Sequence, residues 1–498
     1  MEYILGSLQM IFTPLGIVLM LSGVVLGAVL GAIPGLSGGL GIMLLLPATF
    51  GMDTNYAFIL IISIWVGGIS GSFIAAVLLG IPGSPASIAT CFDGHPLSQK
   101  GYTEKALSVG IVSNAMGTIP SACIAMFLSP VIAMWAVKFG PWEYFSLGFC
   151  AIMLVVTLSQ DDMARGLAAG FIGILVGCAG LAPLDGASRF TFGSMWLSGG
   201  FEMIVVMLGI FAIKQVLLDY SRGFTDPPPS KGKVGKFDLT FQEVKDNKIN
   251  ILRSFFVGLW IGFLPGMGGG LSNMVSYAQE KKANKHPEKF GTGCIEGIFA
   301  PEVSNNAAIG GAMIPMAALG IPGDATAAII LGGLTLHGLE PGPLLYVNKP
   351  QLVYLLFVTC MLAGVAILVI EILGMPLFPK VLQIPSHYLF TTIMVLVFVG
   401  AYSCSNTIFN CFIVLVFALL GVVMEYGGLP TSPFMLCYIL SNMLETNFRK
   451  AFTYSDRGLA EFFLRPLSCL FLIIALGSVL MPVIKKAVSK KKNAGQIL

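Results

Sequence analysis

Long runs of this chain carry no charge, and that single feature decides most of what it can fold into. Residues 106–137, 144–160, 166–184, 351–370, 388–424, 426–444 and 466–484 contain no Asp, Glu, Lys or Arg. A helix crosses the hydrocarbon core in about 20 residues, so these runs read as membrane spans. The runs 106–137 and 388–424 are long enough that each is expected to hold more than one helical piece. Only 11% of the 498 residues are charged and 56% are hydrophobic, against roughly 25% charged in soluble domains. Such a chain lacks the polar surface of a soluble enzyme or a nucleic-acid binder. It is expected to be an all-α polytopic membrane protein with about ten to twelve membrane-embedded elements.

The net charge of +3 is spread over scattered loops, unlike the concentrated basic face of a phosphate-tracking protein. The ten cysteines form no CxxC pair, and Cys123, Cys150, Cys178 and Cys360 lie in apolar runs. No disulfide framework and no metal site is expected from them. Met1-Glu2-Tyr3 lacks a basic leader and an A-x-A cleavage site, so the first apolar run is expected to be retained.

A hydrophilic stretch from Asp219 to Arg253, containing Pro227-Pro228-Pro229, divides the chain. The reading is a first transmembrane repeat over 1–218, a cytoplasmic linker over 219–253, a second repeat over 254–484 and a basic cytoplasmic tail over 485–498. The halves resemble one another. With Pro34 placed on Pro265, residues 26–43 and 257–274 agree at 8 of 18 positions. Further on, Leu79-Gly80-Ile81-Pro82-Gly83 recurs letter for letter as Leu319-Gly320-Ile321-Pro322-Gly323. Proline removes a backbone donor and glycine permits non-helical backbone. Backbone freed in this way at membrane depth must be buried in protein or line a polar cavity. One such motif alone reads as a kinked, closely packed helix. Four interruptions at corresponding places in two halves point instead to a transport site between repeats.

Charge suggests how each half is oriented. Lys245, Lys248 and Arg253 precede the second motif, and Lys281, Lys282, Lys285 and Lys289 follow it. Both flanks are therefore expected on the cytoplasmic side. The arms 254–264 and 271–279 are too short to span singly, which suits a re-entrant hairpin. The first motif has no Lys or Arg before Lys100, only Glu2 and Asp53 nearby, which suits a hairpin opening to the periplasm. The two repeats are then inverted. Lys485, Lys486, Lys490, Lys491 and Lys492 place the tail in the cytoplasm.

Gly35-Leu36-Ser37-Gly38-Gly39 also matches the G-x-S-x-G of a serine hydrolase. An intramembrane protease would use Ser37 as nucleophile with His95, His337 or His387 as base. The second half has Gly268 at the position of Ser37, so glycine and proline, not the hydroxyl, define the motif. A passive anion channel, which needs a continuous pore lined by charge or carbonyls, is the other alternative.

The motifs together resemble the large membrane subunit of the tripartite tricarboxylate transporters, the TctA family. The matching stretches are Gly31-Ala32-Ile33-Pro34-Gly35, Leu79 to Gly83, Asp185-Gly186, and Arg189-Phe190-Thr191-Phe192-Gly193. They continue with Ala300-Pro301-Glu302, Asn305-Asn306-Ala307, Gly320 to Asp324, and His337-Gly338-Leu339-Glu340-Pro341-Gly342-Pro343. Gly400-Ala401-Tyr402, Phe409 and Leu444-Glu445-Thr446-Asn447-Phe448-Arg449 complete the series. Thr446 departs from a pattern in which relatives often carry a second acid. The resemblance implies cation-driven import of di- or tricarboxylates, citrate-like anions, across the bacterial inner membrane by a multi-pass protein. The coupling ion would be Na⁺ or H⁺, with no other cofactor. The implied partners are a periplasmic solute-binding protein and a small membrane subunit, with no nucleic acid. No Walker A sequence is present, so ATP hydrolysis is not expected from this chain.

Residue types supply a mechanism. Half-helix N-termini can hold a carboxylate through free amides and the positive end of the dipole. The expected substrate-binding residues are Pro34, Gly35, Ser37, Gly38, Pro82, Gly83, Ser84, Ser87, Pro265, Gly266, Gly268, Gly269, Ser272 and Asn273. Taken singly, the serines and Asn273 read equally as caps. Glu302, Asn305 and Asn306 read as an N-cap cluster at an interfacial turn or as the lining of a cation path. Asp185 and Arg189 read as a surface pair or as a partner contact, and His337 and Glu340 as loop residues at a helix exit. Asp324 stands where the first half has Ser84. It is expected to cap the following half-helix or to join Glu302, Asn305 and Asn306 in holding the coupling cation. The orientation is testable by cysteine labelling in intact cells. A cysteine at Asp53 is expected to react from the periplasm and one at Ser230 only from the cytoplasm; the reverse at either position overturns the inverted arrangement.

Overall fold

In the computed structural model, which describes residues 2–158, 163–223, 234–383 and 386–494, the charge-free runs become helices. Among the described residues, six helical segments are long and apolar enough to cross a membrane. They are Pro14–Ala32, Thr54–Leu79, Thr103–Ala136, Met203–Ser221, Pro350–Val381 and Ile408–Tyr426, and five shorter apolar helices accompany them. The expectation of two pieces within 106–137 is corrected: Thr103–Ala136 is one helix of 34 residues that contains Pro120 and Pro130. Each proline removes one donor, and the bonds on either side carry the helix through. The run 388–424 does divide, into Ser386–Ser405 and Ile408–Tyr426. The break falls at Asn406, whose φ is 52°, a left-handed conformation that Asn tolerates better than most residues. Pro227-Pro228-Pro229, Ser230 and the side chains of the tail lysines lie outside the described residues.

The chain forms two compact units, one from residues 1–134 and 204–419, the other from 135–203 and 420–498. In the first unit, the Pro14–Ala32 helix packs along Thr54–Gly71, and Lys248–Phe263 packs along Glu296–Leu319. Lipid tails are as apolar as leucine, so close van der Waals approach, not burial from water, holds such pairs together. Small residues make the approach possible. A β-carbon at Gly31 would strike the backbone of Gly68, and one at Gly262 would strike that of Ala308. Gly27 meets Ile64 as Gly258 meets Ser304, and Gly71 meets Ala28 as Gly311 meets Leu259. The same contacts thus recur in both helix pairs at the positions the sequence alignment pairs. The helices of the second motif, Lys248–Phe263 and Gly268–Ala283, extend well beyond the arms expected from charge alone.

The described end of the hydrophilic stretch is strapped to the first unit. Lys105 reaches Glu243 at 2.9 Å and Asp238 at 3.1 Å. Glu243 also closes a capping box with Thr240. Asp93, fully buried, accepts hydrogen bonds from Tyr277 Oη at 2.8 Å and from the amides of Gly291, Gly293 and Cys294. It ties the Thr90–Gln99 helix to the connection that follows Gly268–Ala283.

The second unit contains the helices Pro141–Leu158, Met163–Gly177, Thr431–Tyr454 and Pro466–Ala494, with a two-stranded ribbon pairing Gly180–Leu181 with Ser188–Arg189. The expected Asp185–Arg189 pair is corrected. Arg189 binds Glu445 at 2.7 Å, and Asp185 binds Arg449, because the ribbon sets the two side chains beside Thr431–Tyr454. The Arg449 guanidinium beside Asp185 holds its carboxyl below the usual carboxylate range.

The glycine contacts are directly testable. Gly31→Leu and Gly262→Leu each force backbone apart and are expected to cost about 1–3 kcal/mol of stability. Gly51→Ala, where nothing lies within 4 Å, should be neutral. Thermal unfolding in detergent distinguishes them, and equal midpoints for all three would refute the packing account.

Candidate functional site

All four Pro/Gly motifs interrupt helices, and they lie within the first unit. The Pro14–Ala32 helix stops, Gly35 turns with φ of 86°, and a half-helix restarts at Gly38. The Lys248–Phe263 helix stops likewise before Gly268–Ala283 begins. At the second pair of motifs the agreement is close. Gly80 (φ 69°, ψ 16°) and Gly320 (φ 70°, ψ 22°) both end a helix in the left-handed region, where a side chain is unfavourable. Gly83 then packs on the carbonyl of Gly31, and Gly323 on that of Gly262.

The breaks meet in a crossed pattern. The start of Gly38–Leu45 faces the start of Ala325–Leu336: a β-carbon at Gly39 would lie 3.1 Å from both Thr326 Oγ1 and Ile329 Cδ1. The start of Gly268–Ala283 faces the first half's second break. There Gly269 lies against Ala86 and Gly270 against Pro85, and Ala89 N donates to Asn273 Oδ1 at 2.7 Å. Asp324 joins the two contacts, since a β-carbon on Gly268 would lie 2.7 Å from Asp324 Cβ. Each half's first break therefore docks on the other half's second break.

The small polar residues do local work first. Ser37 Oγ accepts from Leu40 N at 3.2 Å, Ser84 Oγ from Ala86 N at 3.3 Å and Asp324 Oδ1 from Ala327 N at 2.6 Å. Ser87 and Ser272 donate to carbonyls of their own turns, those of Ser84 and Gly269. The Gly268–Ala283 helix differs: its N-cap is Met267, and no side chain caps it. Its first amides come from glycines. Gly35 is exposed, while Pro34, Ser37, Pro82, Ser84, Pro265, Gly266 and Asp324 are half-buried. Gly38, Gly83, Ser87, Gly268, Gly269, Ser272 and Asn273 are buried behind them.

Glu302, Asn305 and Asn306 are not an interfacial cap, which corrects that reading. They lie inside the 24-residue helix Glu296–Leu319 and are fully buried. Thr90 Oγ1 donates to Glu302 Oε1, leaving Oε2 without a partner, and neither polar atom of the Asn305 side chain has one. Asn305 Oδ1 points at Gly269, where a β-carbon would displace it. Asn306 is fully engaged: Oδ1 accepts from Ser70 and Thr118, and Nδ2 donates to Asn114 Oδ1 at 2.8 Å.

Sequence reading missed four partners, Asn114, Glu371, Thr90 and Asp219. Asn114 continues the network to Glu371 Oε2 at 3.3 Å, though Glu371 follows the charge-free run 351–370 directly and was visible as a lone acid. Thr90 gave no signal. Asp219, read as linker, lies beside Gly35 and accepts from Gln215 at 2.9 Å. Among the described residues the protease arrangement is not formed. Ser37 is committed to its cap, His95 bonds Val77 O and Gln99, and His337 bonds Thr49 Oγ1 at 3.1 Å. His337 does sit at a helix exit, as the C-cap of Ala325–Leu336. The side chain of His387 lies outside the described residues.

The chain is similar to known sequences over almost its whole length. The family model for the tripartite tricarboxylate transporter TctA family matches residues 17–436. An uncharacterised 52.8 kDa protein in the TAR-I ttuC' 3' region of Agrobacterium vitis is 30% identical over 483 residues, 96% of this chain and 95% of that protein. An uncharacterised protein in the TAR-II ttuC' 3' region of the same organism is 32% identical over 234 residues, 47% of this chain and 97% of that protein. No solved structure matches.

Capping makes a stability prediction independent of ligand. Asp324→Ala removes the bond to Ala327 N and should cost about 1 kcal/mol, whereas Asp324→Asn should cost little because Asn caps as well as Asp. Thermal midpoints of the two variants test this. A larger loss in Asn than in Ala would show that the cap is not what Asp324 contributes to the fold.

Proposed function

The chain belongs to the tripartite tricarboxylate transporter TctA family, and from that premise we propose that it imports a di- or tricarboxylate anion at the crossed helix breaks. The import is driven by a cation gradient, Na⁺ or H⁺. A periplasmic binding protein delivers the anion to the chain and its small partner subunit in the bacterial inner membrane. The observation that carries this reading is the uncapped start of Gly268–Ala283, which lies behind half-buried Pro265, Gly266 and Asp324. Free amides and the dipole's positive end at a helix N-terminus hold an anion without a lysine or arginine. Ser37 and Ser84, capping the neighbouring breaks, offer neutral donors to the rest of the ligand.

Asp324 then explains why a cation must accompany the anion. Its Oδ1 is used in the cap, and its second oxygen faces the Gly268 terminus. Two unit charges 4–5 Å apart in a partly buried site repel by about 3–4 kcal/mol. A cation or proton on Asp324 removes that repulsion, so anion and cation bind together. Import of a dianion against an inside-negative potential also costs about 2.3 kcal/mol per charge per 100 mV, and each accompanying positive charge removes one such increment. The recurrent glycine contacts support two structural repeats, and the lysine distribution supports their inversion in the bilayer. A carrier of this kind accumulates its substrate; a channel only equilibrates it.

The test is uptake of a panel of radiolabelled di- and tricarboxylates by vesicles containing the complete transporter, under imposed Na⁺ and pH gradients. Saturable accumulation with one gradient is expected, and equilibration without accumulation would refute the carrier. Asp324→Asn, expected to fold, should lose or shift the cation dependence, whereas Ser84→Ala should chiefly raise the apparent substrate constant. An unchanged response of Asp324→Asn to both Na⁺ and pH would remove Asp324 from coupling and leave it only the cap.

A further inference from the structure

Glu371 is an acid with no counter-charge in the middle of a packed unit. It lies on Pro350–Gly374, is 1% exposed, and makes one hydrogen bond, from Asn114 Nδ2 to its Oε2. Its Oε1 is buried without a partner. Glu302, on Glu296–Leu319, is in the same condition: fully buried, bonded by Thr90 through one oxygen, with Oε2 unpartnered. Among the described residues, no Lys, Arg or His forms an ion pair with either acid. A continuous set of hydrogen bonds runs from the Glu371 carboxyl to the backbone of Glu302. Asn306 Nδ2 donates to the Glu302 carbonyl at 3.1 Å and to Asn114 Oδ1 at 2.8 Å, and Asn114 Nδ2 donates to Ser70 O at 3.0 Å as well as to Glu371. Beside the network, both polar atoms of the buried Asn305 side chain are unpartnered, and its Oδ1 is turned toward Gly269 at the uncapped helix start.

An isolated carboxylate in such surroundings is strongly disfavoured, and the usual resolution is that the group stays neutral. A neutral carboxyl removes the need for a counter-ion and still accepts from Asn114 through Oε2. Asn114 from Thr103–Ala136 donates to Glu371, the same amide also donates to the Ser70 carbonyl on Thr54–Gly71, and Glu302 on Glu296–Leu319 is the titratable group within electrostatic reach.

We propose that Glu371 is a second, proton-binding site of the transporter, protonated in the state described here and linked through Asn114 and Asn306 to Glu302 beside the helix breaks. The proposal rests on the transport reading above and extends it: the cation held on Asp324 accompanies the anion as one positive charge, and the buried acid brings in a further one as a proton. The bond that changes is the Glu371 O–H, formed when the carboxyl takes a proton from water on one side and broken when it returns the proton to water on the other. Acids and amides inside membrane proteins are costly and mark such proton sites.

The first measurement needs no substrate. Infrared spectra of the full chain in lipid, recorded across a pH titration, are expected to show the C=O stretch of a protonated carboxyl at neutral pH that is lost in Glu371→Gln. Identical spectra from the two proteins overturn the proposal. The second measurement is citrate uptake by vesicles containing the complete transporter. In Glu371→Gln the component driven by a pH gradient should be lost while citrate exchange across the membrane is retained, and Glu371→Asp should restore pH-driven uptake. Glu371→Gln that still accumulates citrate on a pH gradient overturns the coupling role. Absence of citrate exchange in the unmodified transporter would instead count against the transport reading for citrate, with the infrared band still deciding the protonation of Glu371.

Discussion

A polar backbone group inside a bilayer has no water to turn to, and the first unit is organised around that constraint. Four interruptions free amides and carbonyls at once, in a region where each unsatisfied group costs several kcal/mol. The chain meets the demand with very short means. Ser37, Ser84 and Asp324 each bend back onto an amide two or three residues ahead, and each half's first break is covered by the second break of the other half. What is left over after this local settlement is the start of Gly268–Ala283, where no side chain caps the glycine amides.

Much of this was legible because membrane depth restricts what a residue can be for. Pro82-Gly83 and Pro322-Gly323 stand out against their apolar surroundings, and the structure breaks the helix at both. The glycines that agree between the halves, Gly27 with Gly258 and Gly31 with Gly262, are also the ones at which helices meet backbone to backbone. Proline by itself was a poorer guide. Pro120 and Pro130 sit in an unbroken helix, while the division near residue 406 turns on an asparagine. Interruption needs a residue that prefers another conformation, not merely one that lacks a donor.

Side-chain partners were the least legible part. Nothing in the spacing tells that Asp185 and Arg189 look past one another to Arg449 and Glu445, because a two-residue ribbon sets their direction. Glu302 was read at the membrane surface because an acid is easiest to place there, yet it is fully buried. Its burial depends on Thr90, some two hundred positions away in sequence. Contacts of that separation belong to the tertiary structure alone.

The buried amides and the Asp93 clamp have a mechanical meaning. Asn306 is tied to Ser70, Asn114 and Thr118, and Asp93 to Tyr277 and the amides after Lys289. Every one of these bonds joins a part of the chain before the hydrophilic stretch to a part after it. A motion that rocked the two halves apart would have to leave these donors and acceptors stranded in a dry interior, at roughly 1–3 kcal/mol for each group. The stitches therefore define a lever that does not hinge in its middle: both sets of breaks belong to a single body within the first unit.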